Sequence, residues 1–292
     1  MVLSRFDSML AAETVSLSSD MSRDVHRCGT PSCAWREKVS QWCYDVADHL
    51  NEDRSIVYVA MTILDRYCET FTSFISEKTY EISSLASIFL AVHIAGSGDL
   101  TLTELVSMSR GGISVKDIIG KATIIADVLT LREPIITPAD FVRSAILHLT
   151  PLNDSTHKQA LFDSASYMIE LAVCDSFFSN CKASSVAVAA LLNALEVVIV
   201  PNSKIMAQSL IKASSQAVDS IDKIMIYRTR LSCIYSHSVD HLQRSVGPHI
   251  IEDDVEEFYT PITTSTTGIK RDNSIVVTDD ESVPCKRSKM NM

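Results

Sequence analysis

An all-α fold built as two tandem five-helix units is what this sequence predicts, and three observations carry the prediction. Glycine and proline number only eight each in 292 residues, so chain breakers are sparse. Apolar residues recur with the 3.6-residue period of an amphipathic helix, whereas the strict alternation of a half-buried strand is missing. The helical segments also fall into two sets, each with a middle member that is apolar nearly all round, as the centre of a bundle requires. With 46% hydrophobic residues, the chain can supply the core such a fold needs.

In the first set, Trp35, Val39, Trp42, Cys43, Val46 and Leu50 make one apolar stripe, and Asn51 breaks the run and is expected to cap the next helix. Ile56, Val59, Ala60, Ile63, Leu64 and Tyr67 form a second stripe. Residues 82–95 are apolar on every side and are expected in the centre. Thr101 with Glu104, and Ser114 with Asp117, read as capping boxes that open the fourth and fifth helices, separated by Gly111 and Gly112.

The second set opens at Thr137-Pro138-Ala139-Asp140, which supplies an N-cap, a proline at the first helical position and an acidic third residue. Further helices are predicted over residues 156–175, 183–200, 202–214 and 218–243, the apolar one again being the third. Asn193 and Glu196 interrupt the run at 183–200, which argues for a buried helix over a membrane span. The resulting domain plan is a flexible segment at 1–30, a first repeat at 31–135, a second at 136–245 and a disordered tail at 246–292. Within the first segment, residues 2–10 have the alternative of a helix docked on the folded part. The tail is acidic and Ser/Thr-rich, ends in a basic cluster, and holds too little apolar surface to order itself.

Several function classes are disfavoured. A formal charge of −10 gives no basic face for phosphate neutralisation, so direct nucleic-acid binding is not expected. Residues 1–12 carry neither an apolar leader core nor a small-residue cleavage site, so no secretion signal is expected. The eight cysteines are scattered through apolar segments, in the manner of reduced thiols. His26, Cys28 and Cys33 lack a partner pair at zinc-finger spacing, and His237 and His241 lack a third ligand, so no metal and no cofactor are called for. Phosphate-cradle, nucleophile-elbow and kinase-loop motifs are also missing, and the chain is read as a non-enzyme.

Residues 35–244 resemble the cyclin family. The helix carrying Trp35-Arg36-Glu37-Lys38-Val39 and Trp42-Cys43-Tyr44-Asp45-Val46 stands where cyclins have their first repeat helix, and residues 60–67, ending in Leu64-Asp65-Arg66-Tyr67, are close to the cyclin segment that follows. Residues 89–94 replace the next cyclin stretch. Residues 167–171 and 184–190 look like the pattern of the second repeat. Trp35-Arg36-Glu37-Lys38 followed by Trp42-Cys43-Tyr44 and Leu64-Asp65-Arg66-Tyr67 is especially similar to the divergent cyclins of diatoms.

The resemblance implies two cyclin-box repeats and a regulatory subunit that binds and activates a cyclin-dependent Ser/Thr kinase in cell-cycle control. It assigns Arg36 and Asp65 to a structural ion pair, His93, Ile94, Ala122, Ala126 and Leu131 to the kinase-binding face, and Trp35, Val39, Trp42 and Asp45 to substrate docking. The chain departs from the family where a Lys and its Glu partner are usual, since His93 and Ala122 stand there. Kinase substrates or inhibitors are further implied partners. Lys286, Arg287 and Lys289 read as a nuclear import signal, implying a nuclear or shuttling protein. A cyclin-fold transcription adaptor and a non-activating pseudo-cyclin are the alternatives.

Overall fold

A computed structural model describes residues 5–18, 33–71, 75–109, 111–131, 134–148, 154–214 and 219–245. The described residues form eleven α-helices and one short 3-10 turn, with no strand among them. Lys286, Arg287, Lys289 and the rest of the tail lie outside the described residues.

The first repeat consists of α2 (Cys33–His49), α3 (Ser55–Glu69), α4 (Glu77–Ala95), α5 (Leu102–Met108) and α6 (Val115–Leu129). Most starts are dictated locally. Ser76 accepts the Thr79 N–H at the head of α4, and the boxes Thr101/Glu104 and Ser114/Asp117 both close with reciprocal hydrogen bonds. The cap expected of Asn51 is not formed. Asn51 instead takes a left-handed φ of 55°, a conformation asparagine tolerates, and Asp53 accepts the Ser55 N–H at 2.8 Å. The turn is tighter than the sequence suggested, so the capping duty moves two residues along.

Helix α3 buries nine of its fifteen residues, among them Val57, Ile63 and Leu64, and packs on α2, α4, α6 and α8. It shares with α4 the central position that the sequence assigned to α4 alone. Their apolar faces meet those of Val46, Leu105, Ile118 and Ile125 in one core.

The second repeat consists of α7 (Pro138–His148), α8 (Ser155–Cys174), α9 (Ala183–Val197), α10 (Ser203–Ser214) and α11 (Ile221–Ser245). Thr137 and Asp140 exchange hydrogen bonds across the first turn of α7, at 3.0 and 3.2 Å. Helix α9 is the hub, buried at thirteen of fifteen positions and packed on all four of its neighbours. Asn193, the polar residue inside that run, is satisfied within the protein. Its Nδ2 donates to the Arg228 carbonyl, and Arg228 Nε donates to its Oδ1, both at 2.9 Å.

For the first thirty residues, the docked-helix alternative describes 5–18. Helix α1 (Arg5–Ser18) places Phe6 and Leu10, 2% and 4% exposed, in the second core. Phe6 meets the Phe141 ring edge-on at 5.7 Å. Glu13 then caps α9, because the backbone N–H and the hydroxyl of Ser184 both donate to its carboxylate. Lys182, the N-cap residue of α9 itself, makes no side-chain cap bond.

Candidate functional site

Arg36 connects three helices. Its guanidinium donates to Asp65 of α3 through Nε at 3.0 Å and Nη2 at 2.8 Å, and through Nη1 to the Val173 carbonyl near the end of α8 at 2.7 Å. Burial opposes its charge, and the Asp65 carboxylate more than offsets that, so the guanidinium is held above its usual range. The pair therefore sets the register of α2 and α3 and also fastens the first repeat to the second. Arg54 makes a second bridge between repeats, pairing with Glu170 at 3.2 Å while lying over the Tyr44 ring.

A cleft of about 220 Å³ lies along this seam, lined by Tyr44, Arg54, Tyr58, Phe162 and Ser166 among others. Small-molecule sites generally need about 300 Å³ or more. The cleft is a packing seam by that measure.

The residues assigned to substrate docking are split. Val39 and Trp42 are 2% and 3% exposed and belong to the first core, so a docking peptide has no access to them. The stripe spacing that places them beside Cys43 and Val46 is the spacing of the core face. Trp35 is half-buried, tilted against the Tyr80 ring at 6.0 Å. Asp45 is exposed, with burial and Asp48 raising its carboxyl.

The residues assigned to kinase binding gather around α4 and α6, which pack together. Ile94 is 41% exposed in the last turn of α4, next to the exposed His93. His93 Nδ1 lies 2.9 Å from the Phe89 carbonyl, so Nδ1 carries the proton and Nε2 is left to meet a partner. Ala126 and Leu131 are half-buried, and Leu131 packs on the first core. Ala122 is 5% exposed and sits inside that core. It cannot be an open contact residue, because α6 turns it toward α4.

Two residues not singled out by the sequence complete the surface. Val115 and Ile119 on α6 are 37% and 45% exposed, and with Ala122 and Ala126 they fall at i, i+4, i+7 and i+11, which is one face of a helix. Their spacing was legible, but the same spacing describes a core face, and only burial separates the two. Lys121 marks the opposite edge of the buried face of α6, where it lies over the Tyr67 ring of α3 at 5.4 Å.

Asp117 at the head of α6 is held below the ordinary carboxylate range by its bonds to Ser114, with Lys78 at the head of α4 adding a smaller pull. The stripe Val115–Ile119–Ala126 runs about 16 Å along α6, which packs on the helix that carries His93 and Ile94. Among the described residues no group of three or more His, Cys, Asp or Glu is placed to hold a metal, and no helix is long and apolar enough to cross a membrane.

Comparison with known proteins agrees with this architecture. Residues 6–131 match the family model of the cyclin N-terminal domain. The fold is similar to a viral cyclin from herpesvirus saimiri, with a TM-score of 0.54 at 16% identity, over 73% of this chain and 97% of that one. It is also similar to a chain in the CAK complex of Chaetomium thermophilum bound to ATP-gamma-S, with a TM-score of 0.51 at 16% identity, over 80% of this chain and 78% of that one. No curated protein sequence matches significantly.

Proposed function

We propose that this chain, which belongs to the cyclin family, is the non-catalytic regulatory subunit of a cyclin-dependent Ser/Thr protein kinase, and that it binds the kinase and switches it on. The observation that carries the proposal is the set of exposed apolar side chains Ile94 on α4 and Val115 and Ile119 on α6, with the half-buried Ala126 on the same face of α6. Exposed apolar side chains gathered on one helix face call for a partner. The kinships of fold support that partner being a kinase, since one is with a viral cyclin and the other with a complex that holds a nucleotide analogue.

Activation follows as differential binding. A partner with two orientations of its regulatory helix is driven toward the one that buries the strip, and by no more than the difference in contact energy. Without a Lys/Glu charge pair at His93 and Ala122, the grip is apolar. The association should therefore depend weakly on salt, because screening acts on charges.

The test is co-purification with candidate cyclin-dependent kinases, followed by a phosphorylation assay. The expected result is binding with a rise in kinase activity, lost in both Ile94→Asp and Ile119→Asp while helicity is kept. Binding without a rise in activity would make the chain a pseudo-cyclin, and no binding would favour a transcription adaptor of the same fold. Nuclear residence is part of the proposal, supported by Lys286, Arg287 and Lys289 in the sequence. Replacing all three with Ala should leave a fluorescent fusion in the cytoplasm.

A further inference from the structure

The turn joining α2 to α3 lies outside the contact strip, yet it holds the end of α4. Glu52 is fixed in that turn by its own N–H, which donates to the Ala47 carbonyl at 2.9 Å. Its side chain reaches past the end of α4, where the Ser97 N–H donates to Glu52 Oε1 at 2.8 Å and the Ser97 hydroxyl donates to the same oxygen. Packing is equally close. A Cβ at Gly96 would stand 3.0 Å from Glu52 Oε2 and 2.9 Å from the Val92 carbonyl oxygen, so only glycine lets the carboxylate tuck in.

The chain then folds back on itself. The N–H groups of Gly96 and Gly98 both donate to the Val92 carbonyl, at 3.0 and 3.2 Å, and the Asp99 N–H donates to Ser97 Oγ at 3.2 Å. Residues 92–99 thus form one bonded hook with Glu52 at its centre, and the hook includes His93 and Ile94.

We propose that Glu52 is a positioning residue for the partner-binding face, acting through Ser97 to fix the last turn of α4 and hence the direction in which Ile94 is presented. The inference rests on the proposed kinase contact at Ile94. Its physical reason is that a helix end leaves its last carbonyls without intrahelical partners and frays easily. Residues 93–97 are all exposed, so little packing restrains that turn. A carboxylate that accepts two hydrogen bonds is a stronger restraint than a neutral acceptor. The anchor is itself secured, because Arg54, two residues on, is paired with Glu170 of the second repeat.

The experiment uses the full chain as Glu52→Ala and Glu52→Gln. In Glu52→Ala, hydrogen exchange at the Ser97 amide should be about tenfold faster, as befits the loss of one charge-assisted bond. Kinase affinity should fall about tenfold, with the thermal midpoint unchanged to about 2 °C. Glu52→Gln, whose side-chain oxygen still accepts, should fall between the two. Unchanged exchange at Ser97 overturns the inference, and so does faster exchange with unchanged kinase affinity. If the unaltered chain binds no kinase, the functional proposal falls by itself, and exchange at Ser97 alone decides whether Glu52 holds the turn.

Discussion

The third helix of the first repeat and the third helix of the second have similar sequences in outline and different fates. Helix α4 buries nine of nineteen residues and runs on past its core, so that its last turn stands in solvent with His93 and Ile94. Helix α9 buries thirteen of fifteen, closed in by α7, α8, α10 and α11, and its head is capped by Glu13 from outside the repeat. The first repeat leaves the last turn of its central helix in solvent, and the second covers its central helix except at Glu196 and Val197. An apolar helix in a tandem repeat is thus not by itself a binding element; what packs around its ends decides that.

Paired substitutions at the two helix ends should show this most strongly. Leu195→Asp places a carboxylate at a position 6% exposed and is expected to cost more than about 4 kcal/mol, whereas Ile94→Asp should change stability by less than about 0.5 kcal/mol. Urea unfolding of both variants checks the contrast, and similar losses would break it. At the junction, Arg36→Met removes the guanidinium from Asp65, 17% exposed as a side chain, and takes the donor from the Val173 carbonyl. A loss of about 3–5 kcal/mol is expected, read as a lower denaturant midpoint.

Within α9, Asn193→Ala removes the acceptor of Arg228 Nε and the donor to the Arg228 carbonyl while the Arg228–Glu196 ion pair stays, for a loss of about 1–3 kcal/mol in the same measurement. In the first repeat, Ser114→Ala opens the capping box of α6 and should cost about 1 kcal/mol, with faster amide exchange confined to the first turn of α6.

The smallest effect concerns the foreign cap of α9. Burial raises the Glu13 carboxyl above its ordinary 4.5, against the lowering pull of Ser184 and Lys182. The folded chain therefore favours the protonated form, and the contribution of Glu13 is fully present below pH 4.5 and lost as pH rises through the folded value. Glu13→Gln should flatten this part of the stability profile above pH 4.5, as measured by thermal midpoints. An unchanged profile would show that burial does not shift the Glu13 carboxyl.

Most helix boundaries were legible because their signals are local. Thr101/Glu104, Ser114/Asp117 and Thr137/Asp140 each close a ring of hydrogen bonds within four residues, and the 3.6-residue stripe names the core face of α3. Asn51 misled because cap and left-handed turn draw on the same residue type. The candidate site was harder to read. Val39, Trp42 and Ala122 were assigned to surfaces through a family resemblance, and their neighbours in space bury them, while Val115 and Ile119 have core-like spacing and stand exposed. A stripe states which residues share a face and is silent on what, if anything, covers it.

By itself, then, the sequence determined the helical class, the tandem order, the caps and the two apolar central helices, since each depends on interactions within a few residues. Only the tertiary structure decided that α1 belongs to the second core, that Arg36 reaches the Val173 carbonyl, that Glu52 clasps Ser97, and that the strip beside Ile94 stays open. Those contacts join residues 45 to 171 positions apart, and whether a face is buried depends on the sum of everything packed against it.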